Sequence, residues 1–121
     1  MDNYVCHYCM WKGTQEDLRV SMDSNWHNPK DRKERPVFTG VIKYFPKAIM
    51  EISRVSLQGN KQHHPDKPLH WDRNKSKDDY DALARHLIDA GTIDDDGIRH
   101  TAKVAWRALA CLEKELENEK M

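Results

Sequence analysis

The hydrophobic residues of this chain follow a helical spacing from residue 46 onward. Pro46 suits the first turn of a helix, where its missing N–H is not needed. Positions three and four apart then carry apolar or small side chains, namely Ala48, Ile49, Ile52, Val55 and Ser56. Because glycine commonly follows the last helical turn, the pattern predicts a first helix from Pro46 to Gly59.

A second helix is predicted after a polar loop over residues 60–75, which contains two prolines. Ser76 and Asp79 have the form of a capping box, in which the serine accepts from the backbone and the acid reaches back. The predicted apolar face stops before Gly91 and consists of Tyr80, Leu83, Ala84, Leu87 and Ile88.

The third helix has the most regular pattern. The segment TIDDDG predicts a tight turn, with an aspartate available to cap the helix that follows. The apolar positions then alternate spacings of four and three, as in a heptad seam: Ile98, Ala102, Ala105, Leu109, Leu112 and Leu116. Three helices with one long seam predict an all-α fold, a helix bundle that oligomerisation completes.

Residues 1–40 differ in character from the rest of the chain. An aromatic and cysteine-rich stretch is followed by a polar one that ends at Pro36, so we expect a small N-terminal appendage with a linker. Residues 37–42, VFTGVI, are compatible with one short strand. The predicted division is therefore an N-terminal segment over residues 1–40 and a helical domain over residues 41–121.

Composition narrows the class of protein. Apolar residues make up 38% of the 121 residues and mean hydropathy is −0.93, so the core must be thin and a second subunit is a natural way to complete it. Lysine plus arginine equals aspartate plus glutamate at 20 each, which argues against general nucleic-acid binding. No run approaches the roughly 18 apolar residues of a membrane span, and no secretion signal is evident, so we expect a cytoplasmic protein.

Polar residues inside the helices form a candidate site. His86 and Asp89 lie three apart on the second helix, and His100, Lys103 and Arg107 share one face of the third. Carboxylates from several helices of a bundle hold Mg²⁺ or Mn²⁺, and nearby cations bind phosphate. The alternative is that these residues only cap helices or cover solvated faces.

The segment from Tyr44 to Glu117 resembles the phage dATP/dGTP diphosphohydrolase family, which is related to the MazG-like all-α nucleoside triphosphate pyrophosphohydrolases. An ordered series of short matches carries the resemblance: FPKAIMEISRVSLQGNKQH, LHWDRN, DYDALARHLIDAG and DDDGIRHTAKVAWRALACLEKEL. It implies a dimeric or tetrameric all-α protein that converts a purine (deoxy)nucleoside triphosphate to monophosphate and pyrophosphate with Mg²⁺ or Mn²⁺. If phage-encoded, the protein would act in the host cytoplasm.

The resemblance also implies roles for individual residues. The catalytic candidates are Glu51, His86 and His100. The substrate-binding candidates are Lys61, Arg85 and Lys103 for phosphate and Trp71 for stacking on the base. The candidate ligands of Mg²⁺ or Mn²⁺ are Glu51, Asp89, Asp95 and Asp96. Bound metal would lower the pKa of a water molecule and neutralise charge on the α-phosphate.

One departure from the family pattern concerns the carboxylate pairs. MazG-like enzymes carry Glu-x-x-Glu on one helix and Glu-x-x-Asp on the next. Here the residue three positions before Glu51 is Ala48 and the residue three positions after it is Arg54, so the first pair is missing. His86-x-x-Asp89 replaces the second pair. A non-catalytic protein that binds or sequesters a nucleotide is therefore the alternative function.

The N-terminal segment contains a second candidate metal site. Cys6 and Cys9 resemble one knuckle of a zinc ribbon, and His27 is available as a further ligand of structural zinc. The alternative is a reduced pair of surface cysteines. If zinc is bound, a regulatory or interaction module built on the knuckle is a third possible function.

Overall fold

The protein is described by a computed structural model that covers residues 3–5, 12–14 and 28–119. Two short antiparallel strands come first, β1 (Asn3–Val5) and β2 (Lys12–Thr14), with Asn3 opposite Thr14. All regular elements described after them are helical: α1 (Pro29–Lys33), a π-helix (Phe38–Ile42), α2 (Pro46–His63), α3 (Asp79–Ile88) and α4 (His100–Asn118). The predicted all-α class is confirmed. The proposed zinc ligands Cys6, Cys9 and His27 lie outside the described residues.

Contacts divide the chain into two compact units, residues 1–44 with 116–121, and residues 45–115. In the first unit, Asn28 caps α1 because its Oδ1 accepts from the backbone N–H of Lys30 at 2.9 Å. The second unit contains the helices on which the candidate site depends. Across the described residues, no helix is both long and apolar enough to cross a membrane.

The predicted strand over residues 37–42 is wrong, because Phe38–Ile42 form the π-helix and Val37 is its N-cap. The backbone N–H of Gly40 donates to Pro36 O at 2.7 Å, and that of Lys43 donates to Phe38 O at 2.8 Å. These bonds satisfy the backbone locally, whereas a strand needs a neighbouring strand to accept its hydrogen bonds. The β-branched residues of the segment favour extended structure, but this preference is weak compared with the need to satisfy the backbone hydrogen bonds.

Helix α2 begins at Pro46 as predicted but continues past Gly59 to His63. The reason lies in Asn60, which is buried in the last turns. Its Nδ2 donates to Lys67 O at 3.0 Å, and its Oδ1 accepts from the backbone N–H of His70 at 3.4 Å. The loop is thereby fastened to the end of α2, which keeps the helix intact through a glycine that costs about 1 kcal/mol relative to alanine.

The capping box predicted at Ser76 is absent, since Asp78 is the N-cap and α3 begins at Asp79. Asp79 is buried and pairs instead with two cations of α4, Arg107 Nη1 at 2.6 Å and Lys114 Nζ at 2.5 Å. Ser76 Oγ accepts from the same guanidinium at 3.0 Å. Both side chains are thus directed at α4, and neither is left to cap its own helix.

The predicted turn before α4 is confirmed. The N–H of Gly97 donates to Asp94 O at 2.9 Å, and Gly97 has φ +82°, a conformation that favours glycine. The expected aspartate cap is wrong, because α4 begins only at His100. Asp96 Oδ1 instead accepts from the N–H of Ile98 at 3.0 Å and so stabilises the turn.

The core of the second unit is small, as the composition indicated. Ile98 is only 1% exposed, and the other buried apolar residues are Ala82, Ala102, Ala110 and Cys111. The predicted seam of α4 is therefore buried at its start, whereas Leu109 and Leu112 are 54% and 50% exposed. The stripe predicted for α3 is also largely exposed, at Tyr80, Leu87 and Ile88. A single chain leaves much of both apolar faces uncovered.

The ion pairs of Asp79 lead to a prediction about stability. Burial would raise the pKa of Asp79, but hydrogen bonds from Lys114 and Arg107 outweigh burial and lower it. We expect Asp79→Ala to lower the free energy of unfolding at neutral pH by about 3 kcal/mol, because two cations lose their partner. Urea denaturation followed by circular dichroism measures this.

The pH dependence follows from the lowered pKa of Asp79. Its stabilising contribution is complete above the unfolded-state value near 3.8 and is lost as pH falls through the lower folded-state pKa. The difference between variant and wild type should therefore shrink in acid. Asp81→Ala is the control, since Asp81 is exposed in the same first turn. An equal loss of stability in the control would contradict the assignment.

Candidate functional site

A cavity of about 570 Å³ lies in the second unit. Its walls come from the C-terminal half of α2, the loop that follows, and the facing sides of α3 and α4. The side chains that matter for chemistry are Trp71, His86, Asp96, Lys103, Trp106 and Arg107. The volume falls within the range of small-molecule sites, which is about 300–1,000 Å³.

Two tryptophans form the aromatic wall of the cavity. Trp71 on the loop and Trp106 on α4 meet edge to face, with ring centroids 5.8 Å apart and an interplanar angle of 79°. Trp106 Nε1 donates to Ser56 Oγ on α2 at 2.8 Å, which fixes the indole between the two helices. The guanidinium of Arg73 lies 4.4 Å from the Trp71 ring centroid. The wall is therefore held in place before any ligand arrives.

The ammonium of Lys103 joins the turn over residues 94–97, the acidic turn, to α4. Its Nζ donates to Asp94 Oδ2 and to Asp96 Oδ2, each at 2.7 Å. Hydrogen bonding to Lys103 lowers the pKa of Asp94, and it lowers that of Asp96 although burial opposes the shift. Burial would lower the pKa of Lys103, but the two carboxylates raise it. All three groups are therefore charged at neutral pH.

Two imidazoles face each other beside this cluster. His86 Nδ1 of α3 and His100 Nδ1 of α4 are 2.9 Å apart, and the ring planes are tilted by 35°. Burial lowers the pKa of His86, and the charges of Lys103 and His100 lower it further. A hydrogen bond between two ring nitrogens needs one donor and one acceptor, so at least one ring is neutral.

The imidazole pair and Asp94 have the composition of a metal site. Ligand atoms of His86, Asp94 and His100 all lie within 4.8 Å of one another, the one such group among the residues described. The ligands that the sequence predicted are arranged differently. Glu51 pairs with Arg54 of its own helix at 2.7 Å and does not line the cavity. Asp89 is the C-cap of α3, and Asp95 is exposed.

The cavity brings together four of the predicted site residues, namely Trp71, His86, Asp96 and Lys103. His100 joins them through its contact with His86. Two predicted phosphate ligands do not line the cavity: Lys61 is exposed on α2, and Arg85 pairs with Asp78 at 3.0 Å. The catalytic and ligand roles assigned from the sequence stay predictions.

A family model described as dATP/dGTP diphosphohydrolase, N-terminal, matches residues 24–121. The match covers far more than half of the chain. The chain belongs to this family. Comparisons with curated proteins and with solved structures returned no match. The family membership that the sequence resemblance indicated is thereby confirmed, and the match begins 20 residues before Tyr44, where the resemblance began.

In this member of the dATP/dGTP diphosphohydrolase family, sequence reasoning missed several residues of the site. Asp94 was not among the predicted metal ligands, although its contacts with Lys103 and His100 distinguish it from Asp95. Trp106 was overlooked, yet it lies three residues after Lys103 and so shares its helix face, a signal available in the sequence. The contacts of Arg107 with Ser76 and Asp79 had no local signal, because they join distant segments.

The shared ammonium of Lys103 leads to a second prediction. Lys103→Met should lower the free energy of unfolding by about 3 kcal/mol at neutral pH, because two charged hydrogen bonds are lost and two carboxylates repel each other. Urea denaturation monitored by tryptophan fluorescence measures the change. Lys75→Met is the matched control, since Lys75 lines the cavity but is exposed. Equal effects of the two substitutions would argue against the special role of Lys103.

Proposed function

We propose that this chain hydrolyses a purine deoxynucleoside triphosphate to the monophosphate and pyrophosphate, with a divalent ion such as Mg²⁺ or Mn²⁺ as cofactor. The description of its family names dATP and dGTP. The observation that carries the proposal is the cavity, which combines the aromatic wall of Trp71 and Trp106 with the cations Lys103 and Arg107. A purine nucleotide needs both kinds of surface, one for the base and one for the phosphates.

The phosphate end of the cavity retains unused donors. An ammonium has three N–H groups, and Lys103 gives two of them to Asp94 and Asp96. The third is available for a phosphate oxygen. Arg107 binds Ser76 and Asp79 through Nη1, which leaves the donors of its other nitrogens for the same task. Both cations are held by carboxylates, so they are oriented before a substrate binds.

His86 supplies a neutral imidazole beside the cations. Its lowered pKa keeps the ring neutral near pH 7, and it lines the cavity. A neutral imidazole at this position can ligate a divalent ion, which would lower the pKa of the attacking water. Bound metal would neutralise charge on the α-phosphate, so that pyrophosphate departs. Glu51, a catalytic candidate and metal-ligand candidate carried over from the family, does not line the cavity, and we rank His86 above it as the residue on which turnover depends.

The test is pyrophosphate release from dATP, dGTP, dCTP and dTTP in the presence of Mg²⁺ or Mn²⁺. We expect turnover of the purine substrates. Trp71→Ala should raise KM about tenfold, because base stacking on an aromatic ring is worth roughly 1–3 kcal/mol. Trp71→Phe is the matched control and should stay near wild type, since it keeps an aromatic face.

Absence of release for every nucleotide would overturn the hydrolase proposal. If a nucleotide then still raised the unfolding temperature, the chain would be a nucleotide-binding protein without turnover. Wild-type rates in Glu51→Gln, together with loss of turnover in His86→Gln, would support the ranking of His86. The reverse result would restore the role of Glu51.

We further propose that two or more copies of the chain associate through the exposed apolar faces of α3 and α4. Leu109 and Leu112 continue the heptad seam of α4 beyond its buried part, and Ile88 on α3 is 82% exposed. An exposed seam of this kind is typical of a helix that packs against a second subunit.

Sedimentation velocity tests the association. We expect the wild-type chain to sediment as a dimer or tetramer and Leu109→Glu/Leu112→Glu to sediment as a monomer, because buried charges oppose the contact. Glu113→Gln is the control, since Glu113 is exposed on the same helix. A monomeric wild type would contradict the proposal.

A further inference from the structure

Three side chains from three separate segments meet beside the cavity. His86 comes from α3, Asp94 from the acidic turn and His100 from the start of α4, and their ligand atoms lie within 4.8 Å of one another. We propose that this cluster, the His86–Asp94–His100 site, binds a first-row transition metal ion in preference to Mg²⁺. The ligand set differs from the all-carboxylate site that the family resemblance implied.

The distances fit coordination of one ion. Metal–nitrogen bonds of about 2.1 Å at an angle of about 90° place two nitrogens about 3.0 Å apart. The two imidazole nitrogens are 2.9 Å apart, and Asp94 Oδ2 lies 3.9 Å from His100 Nδ1. A shared ion at such bond lengths allows ligand separations up to about 4.2 Å, so small side-chain movements complete the site.

The site is built into the fold and is not an accident of an exposed surface. The His100 side chain is 13% exposed and the Asp94 side chain 26%, so the ligands are largely withdrawn from water. The Asp94 carboxylate is also fixed by a hydrogen bond to the backbone, since its Oδ1 accepts from the N–H of Asp95 at 2.7 Å. Supporting contacts of this kind orient metal ligands in proteins.

The identity of the ligands determines which metal is preferred. Mg²⁺ takes oxygen ligands and keeps several waters, whereas imidazole nitrogen suits Fe²⁺, Ni²⁺ and Zn²⁺ better. Two of the three ligands here are nitrogens. Three protein ligands also leave coordination positions open for water or a phosphate oxygen, and His86 lines the cavity where such a ligand would enter.

The contact of Lys103 with Asp94 provides a separate test of metal binding at this site. Its ammonium donates to Asp94 Oδ2 at 2.7 Å, the same oxygen that an ion would use, and also to Asp96. A metal ion and the ammonium therefore compete for Asp94. Replacing Lys103 by methionine should tighten metal binding, even though the same substitution removes two ion pairs.

The experiment is a titration of the full chain with Mn²⁺, without nucleotide, followed by electron paramagnetic resonance. We expect one Mn²⁺ per chain, bound more tightly than Mg²⁺ in competition, with hyperfine coupling to imidazole nitrogen. Mn²⁺ is chosen because thiolates select softer ions, so Cys6 and Cys9 contribute little. The measurement needs no turnover, so failure of this site and failure of the hydrolase proposal are distinguishable.

The variants are designed to isolate the two imidazoles. His86→Gln/His100→Gln should lose the nitrogen coupling and weaken Mn²⁺ binding by at least about tenfold, the loss that removal of even a supporting residue causes. His63→Gln is the matched control, because His63 lines the same cavity outside the cluster. Circular dichroism verifies folding. If the double variant does not fold, the single variant His100→Gln is measured instead. We then expect hyperfine coupling to one imidazole nitrogen in place of two.

Three results would overturn the site. One is wild-type protein that binds no Mn²⁺, and another is Mn²⁺ bound without nitrogen coupling, which would indicate carboxylates such as Asp89 or Asp95. The third is unchanged affinity in the folded histidine variants. Tighter binding by Lys103→Met would support the site, and unchanged or weaker binding in that folded variant would count against it.

Discussion

The ammonium of Lys103 holds together the part of the structure from which the site is built. By donating to Asp94 and Asp96 at once, it ties the turn over residues 94–97 to α4. The start of α4 depends on this turn. The chain folds back across it, so that the backbone N–H of His100 donates to Thr92 O at 3.1 Å. A second electrostatic contact, from Asp79 to Arg107 and Lys114, docks α3 on the same helix. His86 and His100 meet because both contacts hold.

Such reliance on charge is a consequence of the thin core. Apart from Ile98, the fully buried apolar residues of the described chain are small, three alanines and one cysteine. Polar side chains therefore bridge α3 and α4: Arg107 and Lys114 reach Asp79, and His100 reaches His86. Buried ion pairs add little net stability, but breaking one is costly, so they discriminate strongly between the native arrangement and its alternatives.

The sequence predicted what depends on local periodicity and missed what depends on distant partners. Pro46 marked the start of α2 and TIDDDG marked the turn, since both signals act over a few residues. Gly59 looked like a helix end because nothing local shows that Asn60 is bonded to Lys67 and His70. Likewise, the capping pattern at Ser76 gives no sign of its contacts with Arg107 and Lys114, which are 31 and 38 residues away.

The same distinction applies to the candidate site. His86, His100 and Lys103 were identified from the sequence, because polar residues among apolar ones are visible in a helical pattern. The sequence did not show which of the three successive aspartates faces these residues, because that depends on how the turn directs each side chain. Asp94 and Asp96 point to Lys103, whereas Asp95 between them is exposed.

The surroundings of Glu51 bear on where a metal ion would bind. Arg54 occupies the position at which the family resemblance leads one to expect a second carboxylate, and it pairs with Glu51 at 2.7 Å. A guanidinium at that distance disfavours a cation on the same oxygens. At the position of the glutamate in the expected Glu-x-x-Asp, however, His86 faces His100 and Asp94. The proposed metal site therefore lies at His86, Asp94 and His100 and not at Glu51, with two nitrogen ligands in place of oxygen, and Lys103 and Arg107 of α4 line the cavity beside it.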